Sequence, residues 1–211
     1  KKDIKKIILP ESDDDRTLKA TSEVLKQKFA EIILIGNRNK ILKRAKELSL
    51  DNIEEAKIVD PNNSEYYNEF VEQFYELRKH KGMTIEKSKE FMLDNIYFGM
   101  MMVKQGYADG LVSGAVHSTS DTLRPALQIL KTAPGTKLVS AFFMMIVPNC
   151  TYGENGVFLF SDSGLNENPD SDALSEIAIS SSKSFELLTG KTPKIAMLSY
   201  SSGTSGEGVD V

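Results

Sequence analysis

The sequence predicts an α/β fold whose sheet is mostly parallel and covered by helices on both faces. Short apolar segments rich in strand-forming residues alternate along the chain with longer segments of helical period. Glycine or proline closes several of the short segments, as at Gly36 and Pro61. The composition, 40% apolar and 27% charged, provides enough apolar residues for a cooperative core in 211 residues.

Strands alternate with one or two helices in the first part of the chain. A strand is predicted where a short apolar run ends at a turn-forming residue. A helix is predicted where apolar residues recur every three or four positions, and acidic residues open the first helix at the positive end of its dipole. In chain order the elements are a strand over Lys5–Pro10, a helix over Ser12–Lys28, a strand over Glu31–Gly36, a helix over Asn37–Leu48, a strand over Ala56–Pro61, helices over Ser64–His80 and Thr84–Gln105, a strand over Gly110–Gly114 and a helix over Ser118–Lys131.

The pattern changes after a linker that contains Pro134 and Gly135. Two apolar runs separated by a polar loop predict neighbouring strands there, and a helix and another strand follow. These elements are strands over Lys137–Pro148 and Gly156–Gly164, a helix over Ser171–Leu188 and a strand over Lys194–Ser202. The linker predicts a first α/β domain over residues 1–134 and a second, partial one over residues 135–211.

Charge and cysteine content exclude several classes of protein. The formal net charge is −4 and the isoelectric point about 5.4, which argues against nucleic-acid binding. The single cysteine, Cys150, excludes an internal disulfide framework and a thiolate metal cluster. The longest apolar run, residues 138–148, is too short to cross a membrane, and no signal peptide is visible. We therefore expect a cytoplasmic protein with no membrane segment and no metal site.

The segment GAVHSTSDTLRP, residues 114–125, concentrates the polar chemistry of the chain. It joins a strand to a helix, where free backbone N–H groups and the helix dipole favour anions. Gly114 allows the turn, and Arg124 adds a guanidinium suited to phosphate. Four hydroxyl groups lie between these two residues, and they belong to Ser118, Thr119, Ser120 and Thr122. These residues predict a phosphate site.

A structural interpretation of the same residues stays open. Serine, threonine and aspartate are good helix caps, so Asp121 caps the helix or orients Arg124. Arg78 lies at a predicted helix end, where the dipole favours a cation with or without a ligand. Neither the GxxxxGK[ST] motif nor the GxGxxG motif follows a strand, so spacing alone does not choose between phosphate binding and capping.

Four segments together resemble the phosphate acetyltransferases, or phosphotransacetylases. They are YELRKHKGMT, DGLVSGAVHSTSDTLRPALQILKTAPG, FLFSDSGLNENP and KIAMLSYSSGTSGEG, and the resemblance extends from KKIILPESDDDRTLKA onward. It implies reversible transfer of an acetyl group between coenzyme A and inorganic phosphate, with coenzyme A as a substrate and no permanently bound cofactor. It also implies two three-layer αβα domains around a cleft, similar to the isocitrate and isopropylmalate dehydrogenases, and a homodimer.

The resemblance also assigns roles to residues. It implies that Arg78 and Arg124 bind coenzyme A or phosphate and that Ser118 to Thr122, including Thr119 and Ser120, line the same cleft. Ser163 and Tyr200 of the second domain are expected to face it. The family's Ser-Arg-Gly segment and the aspartate after it are not found in this sequence, so the catalytic residues are expected beyond Val211. We therefore expect this chain alone to be inactive.

Three alternatives remain open at this point. A phosphate butyryltransferase shares the fold and the reaction, and the sequence does not show the acyl pocket. A metal-dependent decarboxylating dehydrogenase of the same fold needs an aspartate set and a nucleotide loop that the resemblance does not supply. A non-catalytic module that binds a phosphorylated metabolite is the third alternative.

Overall fold

The computed structural model describes residues 4–198, 201–203 and 205–206. It divides the chain into two compact units, Lys1–Lys131 and Thr132–Val211. Each unit is described by itself. Within the described residues, no helix combines the length and the apolar character that a membrane span needs.

Unit 1 contains the alternating strands and helices that the sequence predicts. Short 3-10 turns at Ile53–Glu55, Pro61–Asn63 and Lys79–Lys81 connect some of them. The regular elements are β1 (Lys5–Leu9), α1 (Asp15–Gln27), β2 (Ala30–Ile35), α2 (Arg38–Glu47), β3 (Lys57–Val59), α3 (Tyr67–Arg78), α4 (Ile85–Phe91), α5 (Asn95–Lys104), β4 (Gly110–Leu111) and α6 (Thr119–Ile129).

The four strands described in unit 1 form one parallel sheet in the order β3-β2-β1-β4. Successive residues of β2 point to opposite faces, and both faces are buried. Ile33 and Ile35 pack with α3, α5 and α6 on one face. Ile32 and Leu34 pack with α1 and α2 on the other face. Unit 1 is therefore a three-layer αβα arrangement with a mostly parallel sheet, which confirms the predicted fold class.

The single helix predicted over Thr84–Gln105 is wrong, because the structure divides it into α4 and α5. The apolar pattern continues across residues 92–94, but the Asp94 side chain caps a new helix there. Its carboxylate accepts the backbone N–H groups of Ile96 at 2.9 Å and Tyr97 at 3.0 Å. These bonds replace partners that the first turn of a helix lacks, so a new helix begins after Asp94.

Unit 2 contains an antiparallel strand pair and a long helix. The strands β5 (Phe142–Ile146) and β6 (Val157–Ser161) pair from Phe142 opposite Ser161 to Ile146 opposite Val157. The helix α7 (Ser171–Thr189) begins after Asp170, whose side chain accepts the N–H of Ala173 at 2.8 Å. These three elements confirm the predicted strand-strand-helix order.

The strand predicted over Lys194–Ser202 is wrong for its described part. Residues 194–198 belong to neither a helix nor a strand, and residues 199 and 200 lie outside the described residues. The β-branched and apolar composition favours a strand, but a strand forms only where a neighbouring strand completes its hydrogen bonds. Among the described residues no strand pairs with this segment, and Leu198 is 92% exposed.

The cap at Asp94 gives a test of the divided helix. Asp94→Ala is expected to lower the free energy of unfolding by about 1 kcal/mol, because the first amides of α5 lose their acceptor. Asp94→Asn keeps an acceptor oxygen and is expected to lose less. Urea unfolding followed by circular dichroism measures both, with the exposed Asp51→Ala as control. Equal stability of Asp94→Ala and the control contradicts the role of this cap.

Candidate functional site

The carboxyl ends of β1 and β4 lie side by side, because these strands pair in parallel. The chain leaves β1 toward Glu11, and it leaves β4 toward residues 114–117, here named the 114–117 loop. Every residue of this loop donates its backbone N–H to the Glu11 carboxylate. The N···O distances are 2.9 Å from Gly114 and 2.8 Å from Ala115 to Oε2, and 2.9 Å from both Val116 and His117 to Oε1.

Glu11 is a buried carboxylate, only 6% exposed. It also contacts the His117 ring, with 2.8 Å between Oε1 and Nδ1. Burial raises the pKa of Glu11, but the hydrogen bonds from the loop amides and from the His117 ring outweigh burial and lower the pKa to about 2. Arg16 donates to the carbonyl of Ala115 in the same loop. Glu11 is therefore ionised, and both of its oxygens accept hydrogen bonds from the 114–117 loop.

The 114–117 loop has the turn that the sequence predicts, but its amides are occupied. Gly114 has a φ of +118°, which favours glycine. The sequence predicts backbone N–H groups free to face an anion, and in this loop an internal carboxylate takes them. The amides of Thr119 and Ser120, at the first positions of α6, make no hydrogen bond within the described residues. A phosphate would meet those two amides rather than the loop.

The first turn of α6 is closed by a reciprocal cap between Ser118 and Asp121. The Ser118 hydroxyl donates to Asp121 Oδ2 at 2.6 Å and accepts the N–H of Asp121 at 3.2 Å. The Ser118 amide bonds the same carboxylate. These bonds, with smaller effects from the charges of Arg124 and His117, lower the pKa of Asp121. Asp121 therefore caps the helix, as one of the two sequence interpretations has it.

The hydroxyl groups of the segment differ in how freely they can meet a ligand. Ser120 Oγ lies 2.9 Å from Ser118 Oγ, and Thr122 Oγ1 lies 3.4 Å from Ser113 Oγ. The Thr119 side chain is exposed and makes no hydrogen bond within the described part of the chain. Three of the four hydroxyls are thus already engaged in local contacts, whereas Thr119 is available.

Arg78 and Arg124 lie on different helices but near the same tyrosine, Tyr97. Tyr97 is 7% exposed, and its hydroxyl donates to Gln128 Oε1 at 3.1 Å. Burial raises the pKa of Tyr97, while the nearby charges of Arg124 and Arg78 act in the lowering direction and that of Asp94 in the raising direction. The charges of both predicted arginines thus act on one buried ring.

The two guanidinium groups have unused donors. Among the residues that the structure describes, Arg78 Nε is the buried side-chain nitrogen or oxygen that lacks a hydrogen-bond partner. A buried donor without a partner is costly, which is a frequent feature of sites that bind a ligand. Arg124 is exposed and forms no hydrogen bond or ion pair within the described residues. Each guanidinium is thus suited to phosphate oxygens.

The residues predicted from unit 2 are only partly described. The Ser163 hydroxyl donates to the carbonyl of Phe160 at 3.0 Å, and the Ser163 amide donates to the carbonyl of Ala141 at 3.1 Å. Ser163 therefore stabilises the turn that follows β6. Tyr200 lies outside the described residues. The predicted roles of both residues in binding remain predictions.

Glu11 and Tyr97 are site residues that the sequence analysis did not identify. A signal existed for Glu11, because it directly follows a strand whose carboxyl end lies at the same sheet edge as that of β4. Tyr97 lies within an apolar helix, where a tyrosine is ordinarily a core residue. Nothing in its local sequence points to the two arginines.

The low pKa of Glu11 predicts a loss of stability in acid. Because its pKa is depressed in the folded state, its contribution is complete above its ordinary value of 4.5 and is lost as the pH falls toward about 2. This contribution is about 3 kcal/mol. Glu11→Gln is expected to remove it, so the variant loses less stability than the parent across that pH range. Urea unfolding at several pH values measures this, with Glu54→Gln as an exposed control. Parallel curves for the parent and Glu11→Gln contradict the prediction.

Comparisons with known proteins agree with the fold and with the motifs. A model of the family described as phosphate acetyl/butaryl transferase matches residues 1–211. A phosphate acetyltransferase of Acetivibrio thermocellus is 58% identical over 202 residues, which are 96% of this chain and 60% of that protein. Among solved structures, the EutD phosphotransacetylase of Staphylococcus aureus has 41% identity and a TM-score of 0.82, covering 98% of this chain and 60% of that one.

A second solved structure gives the same result. A phosphotransacetylase of Streptococcus pyogenes has 36% identity and a TM-score of 0.86, covering 99% of this chain and 61% of that one. The chain thus spans about 60% of the length of the relatives that it matches. Because the family model matches along the whole sequence, the chain belongs to the phosphate acetyl/butaryl transferase family.

Proposed function

We propose that this chain supplies the substrate-binding part of a phosphate acetyltransferase, which moves an acetyl group reversibly between coenzyme A and inorganic phosphate. The family membership and the name of the 58% identical relative support this proposal. The observation that carries it is the Arg78 guanidinium, whose Nε is buried without a hydrogen-bond partner among the described residues. Such a donor suits a ligand with phosphate oxygens.

Both substrates of this reaction carry phosphate groups. In our proposal Arg78 and Arg124 bind phosphate oxygens of coenzyme A or acetyl phosphate, since a guanidinium offers two parallel N–H donors to them. The exposed Thr119 hydroxyl and the amides of Thr119 and Ser120 add neutral donors at the positive end of α6. Ser118, Ser120 and Thr122 shape this edge, and Ser163 and Tyr200 are also proposed to bind substrate.

The chemical step requires a base. The coenzyme A thiol transfers its proton to a general base and its sulfur forms a bond to the acetyl carbon, while the bond from that carbon to the phosphate oxygen breaks and phosphate leaves. A nearby cation stabilises the tetrahedral oxyanion. Glu11 is unsuited to be this base, because its pKa is about 2 and its oxygens are occupied.

We propose that the base comes from the part of the relatives that this chain does not span, and that the chain alone is therefore inactive. The coverage of 60% of the relative's length leaves room for such a segment. We also propose domains over 1–134 and 135–211 and a cytoplasmic homodimer. The exposed apolar side chains of β5, such as Phe143 at 62% and Ile146 at 70%, support a second copy as a partner.

Thioester formation from acetyl phosphate and coenzyme A tests the proposal. The chain is compared with the full-length Acetivibrio thermocellus relative and with the chain extended by the remaining segment of that relative. We expect turnover by the relative and by the extended chain only. Turnover by the chain alone contradicts the missing base, and an extended chain that is folded but inactive favours a non-catalytic binding module. Butyryl phosphate in place of acetyl phosphate tests the alternative acyl group.

Arg124→Ala gives a separate test of phosphate binding. Loss of one charge-assisted pair is expected to raise the Kd for coenzyme A about ten- to a hundredfold. Isothermal titration calorimetry measures this without requiring turnover, and the KM for coenzyme A is expected to rise equally in the extended chain. Arg124→Lys keeps the positive charge but lacks the two parallel N–H donors of a guanidinium, so an intermediate loss of affinity is expected. The exposed Arg38→Ala is the matched control, and an Arg124→Ala variant that binds like it contradicts the proposed role.

A further inference from the structure

The His117 ring is held at one nitrogen and open at the other. Its Nδ1 lies 2.8 Å from Glu11 Oε1. The His117 side chain is 36% exposed, whereas the Glu11 side chain is 3% exposed. Because Nδ1 faces the buried carboxylate, the opposite edge of the ring, which carries Nε2, is the part that is directed outward.

The Glu11 carboxylate also determines which nitrogen of the His117 ring carries a proton. Glu11 is ionised above a pKa of about 2, so it only accepts hydrogen bonds. Nδ1 must therefore be an N–H donor in both charge states of the ring. Protonation of the ring changes Nε2 alone, from an acceptor to a donor. The backbone N–H of His117 bonds the same oxygen, which fixes the ring relative to the loop.

The open edge of His117 lies at the same helix start as the proposed phosphate donors. His117 directly precedes Ser118, the residue that caps α6, and Asp121 and Arg124 lie near the start of the same helix. The amides of Thr119 and Ser120 follow directly in sequence and make no hydrogen bond within the described residues. The His117 ring and these two amides thus lie at the start of the same helix.

We propose that the protonated His117 ring binds a phosphate oxygen through Nε2–H, and that Glu11 is the positioning residue that holds the ring for this contact. The inference rests on the proposed function and extends it by naming a further phosphate ligand. Glu11 contributes no donor to the phosphate. Its carboxylate already accepts the amides of the 114–117 loop, so the anion is bound by the His117 ring and by the start of α6 instead.

Nitrogen NMR of the histidine side chains tests the contact directly. The chain has only two histidines, His80 and His117, so His80→Gln leaves one ring to observe. Inorganic phosphate is expected to shift the Nε2 signal of His117 and to leave Nδ1 nearly unchanged, with chloride at equal ionic strength as control. No shift of Nε2 at any phosphate concentration, or the same shift with chloride, overturns the proposal.

Two substitutions separate the nitrogens of the ring. The longer side chain in His117→Gln places an amide donor near the position of Nε2, whereas the side chain in His117→Asn places one near the position of Nδ1. His117→Asn is expected to raise the Kd for phosphate about ten- to a hundredfold, and His117→Gln less. In the extended chain the KM for phosphate is expected to rise with little change in kcat. Equal affinity of both variants and the parent, or a loss in kcat alone, overturns the proposal.

The positioning role of Glu11 has its own measurement. In Glu11→Gln an amide replaces the acceptor, and the fraction of His117 rings that carry the proton on Nδ1 is expected to fall. If this variant does not fold, the comparison of the two His117 variants still decides the question. Phosphate binding by NMR does not need turnover, so a failed acetyl-transfer assay of the extended chain with a clear Nε2 shift rejects the proposed function but retains the ligand contact.

Discussion

A buried carboxylate inside a backbone loop is the interaction on which the site in unit 1 depends. A charge removed from water is unfavourable unless hydrogen bonds replace its hydration. Glu11 obtains four backbone N–H groups and one ring nitrogen. In return it fixes a loop that has no regular secondary structure of its own. The start of α6, the His117 ring and Arg124 all follow from the position of that loop.

The sequence predicts most of unit 1 because its sheet is buried on both faces. Each strand must then be an apolar run and each covering helix must have an apolar side, and both patterns are local. The division between α4 and α5 was not predictable from periodicity, because the apolar pattern continues through Met92 and only the Asp94 cap interrupts it. Residues 194–198 show the opposite case, where a local strand preference finds no partner strand among the described residues.

The candidate site also combines features that one sequence segment shows with contacts between residues far apart in the sequence. Arg124 and the hydroxyls beside it form one segment, so their chemistry is visible in the sequence. Glu11 bonds residues 103 to 106 positions away, and only the parallel pairing of β1 with β4 reveals this contact. That the charges of Arg78 and Arg124 both act on Tyr97 also depends on how three helices pack. Residue types therefore indicate the chemistry proposed for the site, while the fold determines which groups lie together.

The short pairing of β4 with β1 has a consequence for the order of folding. β4 pairs only Gly110 and Leu111 with β1, whereas β2 pairs along the full length of β1. The contacts between β1 and β2 join nearby parts of the chain and form early, but closing the long loop to β4 is slow because of its entropy. We therefore expect the central strands to assemble first. The 114–117 loop then takes its position only after the last strand docks, late in the maturation of a newly synthesised chain.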